Sequence, residues 1–368
     1  MTVTDRITAL RKLMKEKGID AYLVPTDDFH GSEYVGDYFK CRKYITGFTG
    51  SAGTAVIMQD MAGLWTDGRY FIQAADQLKG TPVTLFKMGE PDVPTIHKFL
   101  EENLKDGMCL GFDGRTVSGE EADQLKKLLE KKQIRFSVNE DLIGEIWQDR
   151  PSLSCEPAME LDVKWTGRSR ADKIQDIRTK LKEKGADLFV LTSLDDIAWL
   201  LNIRGNDIHC CPVVLSYLVM DEKEIRLFAN EKAFPGSVKD ALSADGVTIY
   251  PYNDIYAYVQ TITEDKKIYL SRSNVNSRLI SSIPENEKKQ DSVCTYTMFR
   301  SNEAAASPEK PILILDNSSE QWKHHAIGVF GNQNKRTNFE FREEGSSAYA
   351  DILQIDARFV SLVRWLGE

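Results

Sequence analysis

Residues 7–24 read ITALRKLMKEKGIDAYLV, and residues 174–191 read IQDIRTKLKEKGADLFVL. The second stretch begins 167 residues after the first. Apolar residues recur in each at three- and four-residue spacing: Ile7, Leu10 and Met14, then Ile174, Ile177 and Leu181. That spacing gives one apolar face on an α-helix. Gly18 and Gly185 follow where a helix needs a left-handed residue to end it. Asp20 and Asp187 come next at equivalent positions. Two unbroken apolar runs close the units, Ala21-Tyr22-Leu23-Val24 and Leu188-Phe189-Val190-Leu191. Short runs of this kind fit strands buried on both faces. Two copies of one α/β domain account for the shared K-E-K-G-x-D. Chance likeness between two common helix–strand openings is the alternative.

Outward from the first unit, Thr54 to Met58 and Ala62 to Trp65 read as strands joined by a short turn. Tyr70 to Leu78 reads as a helix, Val83 to Phe86 as a strand, Ile96 to Leu104 as a helix and Cys109 to Phe112 as a strand. Ser118 with Glu121 has capping-box spacing for a helix through Leu129. Residues 150–157 hold two prolines and little periodicity, so they read as a linker. After the second unit, Asp196 to Leu201 continues as helix. Val213 to Val219 and Glu224 to Phe228 look like paired strands around Asp221-Glu222. Val247 to Tyr250 and Lys267 to Leu270 are further strands. The expected organisation is a domain over residues 1–158, a second over 159–300, and a tail over 301–368.

The tail is different in character. Ile312 to Leu315 could be a strand, and Gln321 to Gly345 is polar and irregular. Ile352, Ile355, Phe359, Leu362 and Leu366 then form a helical seam, either packed on its own domain or used for self-association.

With 368 residues, 42% hydrophobic and 28% charged, the chain has the composition of a globular protein with two cores. Its net charge of −9, with lysine and glutamate interleaved, argues against a nucleic-acid binder. No stretch approaches a membrane span, and residues 1–6 lack the apolar core of a signal peptide. The six cysteines show no C-x-x-C spacing, and the only close pair is Cys210-Cys211. Reduced thiols and a cytoplasmic location are expected.

Three further segments are distinctive: Tyr44-Ile45-Thr46-Gly47-Phe48-Thr49-Gly50-Ser51-Ala52-Gly53-Thr54-Ala55; Leu64-Trp65-Thr66-Asp67-Gly68-Arg69-Tyr70-Phe71-Ile72-Gln73-Ala74-Ala75; and Leu194 to Asp207 (LDDIAWLLNIRGND) with Pro212-Val213. Ser32-Glu33-Tyr34 and Ile146 to Pro151 (IWQDRP) add to them. In order and spacing they resemble the three-domain, cytosolic type of Xaa-Pro aminopeptidase (aminopeptidase P) in the creatinase/prolidase family, over about residues 7–300. The resemblance implies two tandem creatinase N-terminal-like α/β domains with mixed sheets. It implies removal of an N-terminal residue from peptides with proline at position two. A third, pita-bread domain would bind two manganese ions through two aspartates, a histidine and two glutamates.

The residues themselves leave choices open. Gly47, Gly50 and Gly53 mark backbone that passes close to something, but the loop lacks the lysine of a phosphate-binding P-loop. Arg69 is either half of a structural ion pair or a guanidinium aimed at a peptide; the resemblance implies the second. Arg204 and Asp207 read as an internal salt bridge, with a cleft-bordering, substrate-binding Arg204 as the minority alternative. Neither D-G-T-T-D nor H-G-x-G-H-G occurs, and His324-His325 lacks partners for a metal. No catalytic residue, metal ligand or cofactor is therefore expected in this chain. The likeness stops near Arg300, which a frame change, a truncation or a fusion would each explain. Two functions remain. One is the N-terminal region of the aminopeptidase, inactive alone. The other is a non-catalytic oligomerisation or peptide-binding module, with a homo-oligomer as one form of it, working with a separate catalytic chain.

Overall fold

The computed structural model describes residues 1–263 and 265–284, with further strands at Gln290–Asp291, Ile312–Asp316, Glu340–Glu344 and Ser347–Asp351. The expected helical seam from Ile352 to Leu366, the His324-His325 pair and Cys294 lie outside the described residues.

Helix α1 (Val3–Glu16) buries Ile7, Leu10 and Met14, as the spacing requires. Thr2 and Asp5 form a reciprocal capping box at its start. At its end Gly18 takes φ +66°. The Gly18 amide then donates to the Lys15 carbonyl and the Ile19 amide to the Met14 carbonyl. This is a Schellman closure, satisfying carbonyls the helix leaves open. The chain turns directly into strand β1 (Ala21–Val24), all four residues buried.

Five more strands complete the first sheet: β2 (Thr54–Met58), β3 (Ala62–Thr66), β4 (Thr84–Lys87), β5 (Cys109–Phe112) and β6 (Arg135–Ser137). Their order is β4-β3-β2-β1-β5-β6. The β2 strand runs antiparallel to both β1 and β3; the other neighbours are parallel. Helices α1, α2 (Cys41–Thr46), α3 (Phe71–Gln77) and α6 (Leu142–Ile146) supply one apolar layer, where Leu10, Ile45, Ala74 and Leu142 are fully buried. Helices α4 (Ile96–Asn103) and α5 (Gly119–Leu129) supply the other, around Trp65, Leu100 and Leu125. Trp65 stacks on Phe86 with ring centroids 4.0 Å apart. Each fully buried side chain of this size contributes about 1.5–3 kcal/mol.

The second domain repeats this plan. After β7 (Met159–Glu160) and a single helical turn, α7 (Val163–Thr166), helix α8 (Arg170–Glu183) buries Ile174, Ile177 and Leu181. Gly185 takes φ +64°, and its amide and that of Ala186 repeat the Schellman closure onto Lys182 and Leu181. Strand β8 (Leu188–Leu191) follows, then α9 (Leu194–Leu201), β9 (Ile203–Arg204), β10 (Ser216–Met220), β11 (Ile225–Ala229), α10 (Gly236–Ala244), β12 (Val247–Pro251), α11 (Asp254–Gln260), β13 (Ile268–Leu270), α12 (Ser277–Ser282) and β14 (Gln290–Asp291). The sheet order is β12-β11-β10-β8-β13-β14, and every parallel or antiparallel step matches the first sheet.

The repeated aspartates now have a reason. The Asp20 carboxylate accepts from the Cys109 amide, where β5 begins, while the Asp20 amide donates to the Cys109 carbonyl. Asp187 does both with Lys267, one residue before β13. Each aspartate fixes the first rung between the central strand and its parallel neighbour. This local rule, with the identical topology, is what a duplication leaves.

The two domains share a wall. Phe29 and Phe39, from the loop after β1, sit in the apolar cluster of the second domain with Val190 and Tyr217. Residues Met1–Val163 and Gly167–Ser292 accordingly form one compact unit. Residues 164–166 belong with a second unit spanning 293–368, in which β15 (Ile312–Asp316), β16 (Glu340–Glu344) and β17 (Ser347–Asp351) form an antiparallel sheet ordered β15-β17-β16. The expected strand near Ile312 is there. The expected irregularity of residues 321–345 is corrected at Glu340–Glu344, which pairs as a strand with Ser347–Asp351.

Several expectations shift in detail. The Tyr70 helix opens as a 3-10 turn over Gly68–Tyr70. The strand expected from Val213 starts at Ser216, because residues 211–215 turn back on themselves through the Val213 amide to the Cys211 carbonyl. Among the described residues no helix is long and apolar enough to cross a membrane.

Candidate functional site

The glycine-rich segment and the W-T-D-G-R segment interlock residue by residue at one end of the first sheet, where β2 begins and β3 ends. Thr66 Oγ1 donates to the Ala52 carbonyl at 2.7 Å. The Tyr70 hydroxyl lies 2.6 Å from Ser51 Oγ. Gln73 and Gln77 both donate to Thr49 Oγ1, and the Thr49 amide donates to Gln77 Oε1. A Cβ on Gly50 would clash with Phe48 and Tyr70, and one on Gly53 (φ +153°) would meet the Trp65 carbonyl at 2.9 Å. What the loop passes close to is therefore its own neighbouring motif.

Arg42 holds this loop from beneath. It is 3% exposed and donates through Nε to Thr26 Oγ1, through Nη1 to the Phe48 carbonyl at 2.6 Å, and through Nη2 to the Gly50 carbonyl. None of these partners is charged, and burial lowers its pKa to about 10. Sequence reasoning missed Arg42. Its signal is weak: one arginine on a short helix just before the glycines.

Most side chains of the W-T-D-G-R-Y-F-I-Q-A-A segment are thus spent on holding the fold. Two remain outward. Ile72 is 90% exposed. The Arg69 side chain is 70% exposed. Asp67 caps the turn through the Arg69 amide and grips the guanidinium with both oxygens, Nε to Oδ1 at 2.9 Å and Nη2 to Oδ2 at 2.8 Å. These bonds raise the Arg69 pKa and lower that of Asp67. The ion pair is thus present, and it fixes one edge of the guanidinium, while among the described residues Nη1 has no hydrogen-bond partner. Tyr34, half exposed, lies within electrostatic reach of Arg69 and Tyr70 and of Cys210 and Cys211 on the second domain.

Arg204 is elsewhere and turned inward. Its Nη1 donates to the carbonyls of Ala198 (2.9 Å) and Ile203 (2.8 Å), closing the corner between α9 and β9. Burial lowers its pKa. The expected Arg204–Asp207 salt bridge does not form. Asp207 instead accepts from the amides of Glu156 and Leu215, at 3.0 and 2.7 Å, tying the linker to the second domain.

Between the domains lies a polar cluster that sequence reasoning also missed. His30, fully buried, places Nδ1 3.0 Å from the Thr192 carbonyl and Nε2 2.6 Å from the Tyr252 hydroxyl. Nδ1 therefore carries the proton, and Nε2 accepts from Tyr252. Desolvation lowers the His30 pKa. Asp28 accepts from the His30 and Ser32 amides through Oδ1, and its buried Oδ2 has no partner. Beside it, burial and the Asp28 charge push Asp27 up to about 8.

Among the described residues no group of three or more His, Cys, Asp or Glu side chains is placed to hold a metal ion. The described residues offer no such group for the two manganese ions that the resemblance implies for a whole enzyme.

Comparison with known proteins gives consistent results. Residues 6–142 and 149–304 each match a creatinase/prolidase N-terminal domain model. The chain is 40% identical over 272 residues to a "Probable Xaa-Pro aminopeptidase P" of Neurospora crassa, covering 73% of this chain and 40% of that protein. It is 35% identical over 287 residues to "Aminopeptidase P2" of Arabidopsis thaliana, covering 76% and 40%. A crystal structure of an X-prolyl aminopeptidase from Caenorhabditis elegans, described as a cytosolic enzyme with a di-nuclear active site, superposes with a TM-score of 0.76 at 34% identity. That match covers 82% of this chain and 51% of the other. The chain thus spans about two fifths of the length of the curated relatives it matches.

Proposed function

We propose that this chain, which belongs to the creatinase/prolidase family and carries the two N-terminal domains of an Xaa-Pro aminopeptidase, supplies the peptide-facing, non-catalytic part of that activity. The reaction is removal of an N-terminal residue that precedes proline. The observation that carries this reading is the division of labour in the W-T-D-G-R segment. Thr66, Tyr70, Gln73 and Gln77 are consumed by the glycine loop, while Arg69 is held by Asp67 along one edge with its side chain largely exposed. A guanidinium fixed along one edge is pre-organised to donate from the other to a peptide carbonyl or carboxylate. Arg204, with its Nη1 committed to backbone carbonyls, is assigned a structural role.

Turnover on this reading needs a metal-bearing part that the described residues do not provide, with manganese as the ion. The chain alone is inactive. A cytoplasmic location is supported by the cytosolic description of the Caenorhabditis elegans enzyme. Exposed Ile72, beside Arg69, favours a second role for the same rim, docking of a catalytic part or of another copy of the chain.

The test of the site is Arg69→Ala in an intact homologous enzyme. A raised KM or lowered kcat toward an Xaa-Pro peptide is expected. Unchanged kinetics would remove Arg69 from the substrate path.

A further inference from the structure

The adjacent cysteines Cys210 and Cys211 lie in a tight turn that the reading above does not use. The Cys211 amide donates to the Ile208 carbonyl at 3.0 Å, which makes His209 and Cys210 the central residues of a β-turn. Cys210 is exposed and takes φ +63°, a backbone conformation rare for a residue with a Cβ. Cys211 is partly buried, and both thiols are free. Cys210 acts on Cys211 electrostatically, as do Glu33 and Asp195, and burial is the largest cause pushing the Cys211 thiol up to about 11.

The two sulfurs are poorly placed to bond each other. Cα atoms joined by a trans peptide are about 3.8 Å apart, whereas an unstrained disulfide spans about 4.4–6.8 Å. A single atom inserted between the sulfurs lifts that restriction. A divalent soft cation would need further ligands, and among the described residues no third His, Cys, Asp or Glu joins these two in a metal-holding group. A trivalent arsenic atom that already carries one organic group needs only two sulfurs. The condensation takes up no further group, since the arsenical oxygen carries the thiol protons away as water.

We infer that the Cys210-Cys211 turn is a bidentate dithiol site for a monosubstituted trivalent arsenical. The step balances without any oxidant: R–As=O and two thiols give R–As(S–)2 and one water, both thiol protons leaving on the arsenical oxygen. Two As–S bonds form, the As=O bond is lost, and arsenic stays trivalent. Exposed Cys210 is the first sulfur to bond, and Cys211 closes the ring. The adduct would form within electrostatic reach of Tyr34, which in turn acts on Arg69.

Phenylarsine oxide added to the full chain, reduced beforehand with a phosphine, tests this by intact mass. One phenylarsenic group per chain is expected, retained in excess 2-mercaptoethanol and removed by 2,3-dimercaptopropanol. Holding the second sulfur intramolecularly gains roughly 100-fold or more in affinity, so Cys210→Ser and Cys211→Ser should each weaken binding by that factor. Cys155→Ser and Cys294→Ser should leave it unchanged. No adduct on the wild-type chain, an adduct stripped by the monothiol, or undiminished binding in Cys210→Ser would overturn the assignment. Because Cys210 is exposed, its variant decides the matter even if Cys211→Ser fails to fold.

Discussion

Ser118 and Asn276 pair with each other in an antiparallel bridge, and each is the N-cap of the helix that follows the same strand in its own domain. Around them the Gly119 amide donates to the Val275 carbonyl (2.9 Å) and the Ser277 amide to the Val117 carbonyl (2.8 Å). Equivalent residues meeting in reciprocal bonds are what a local two-fold axis produces. The duplicated domains are joined as two identical subunits would be, with the loop carrying Phe29 and His30 added to one side.

Asn276 bears more of this joint than Ser118. Its Oδ1 accepts from the Leu279 amide, and its Nδ2 donates to the Phe29 carbonyl of the other domain at 2.9 Å. Asn276→Ala removes a cap and orphans a buried carbonyl, so a loss of about 2–4 kcal/mol is expected. Ser118→Ala removes only a cap, at about 1 kcal/mol. Denaturant titration of both variants checks the ranking.

The helix-ending glycines should behave as a matched pair. Gly18 and Gly185 have φ of +66° and +64°, and a Cβ at Gly18 would meet nothing within 4 Å. Substitution by alanine therefore costs backbone strain alone, about 1–2 kcal/mol at each site. Thermal unfolding of the two variants should show similar shifts. A much larger effect at one of them would break the structural equivalence.

Stability should depend on pH through two groups of opposite sign in the inter-domain cluster. Asp27 is raised to about 8, so it stays protonated in the fold while the unfolded carboxyl ionises near its ordinary value of 3.8. Its contribution is full below that value and is lost as pH rises toward 8. His30 is lowered from 6.5, so its contribution is full above 6.5 and is lost as pH falls below it. Asp27→Asn keeps an oxygen for the Asp28 amide and removes the first effect. Relative to wild type, the variant should gain on the order of 1–3 kcal/mol between pH 4 and pH 8. Urea midpoints across that range would show a flat difference if Asp27 ionises normally in the fold.

Local features were legible in the sequence, and long-range ones were not. Gly18, Asp20 and their repeats announced helix, turn and strand because the turn chemistry is contiguous. Helices α10, α11 and α12 were missed because each is short and buries few residues, Val238 and Leu242 in α10, Ile255 and Val259 in α11. A single i, i+4 pair is no periodicity. Strand β6 has only three residues, none fully buried. At the site, Arg69 was legible because its motif is compact. Arg42 was not, since its partners Phe48 and Gly50 are backbone carbonyls. The expected Arg204–Asp207 pair failed for a related reason: the partners of Asp207 are backbone amides, that of Leu215 and that of Glu156, the latter 51 residues away along the chain.

The central claim is that these two domains face a peptide without being able to cut it. The direct measurement is release of the first residue from an Xaa-Pro peptide by the purified chain supplied with manganese. No release above the manganese-only background is predicted. Release that a chelator abolishes would contradict the account, because it would require a metal site built from residues assigned no such role.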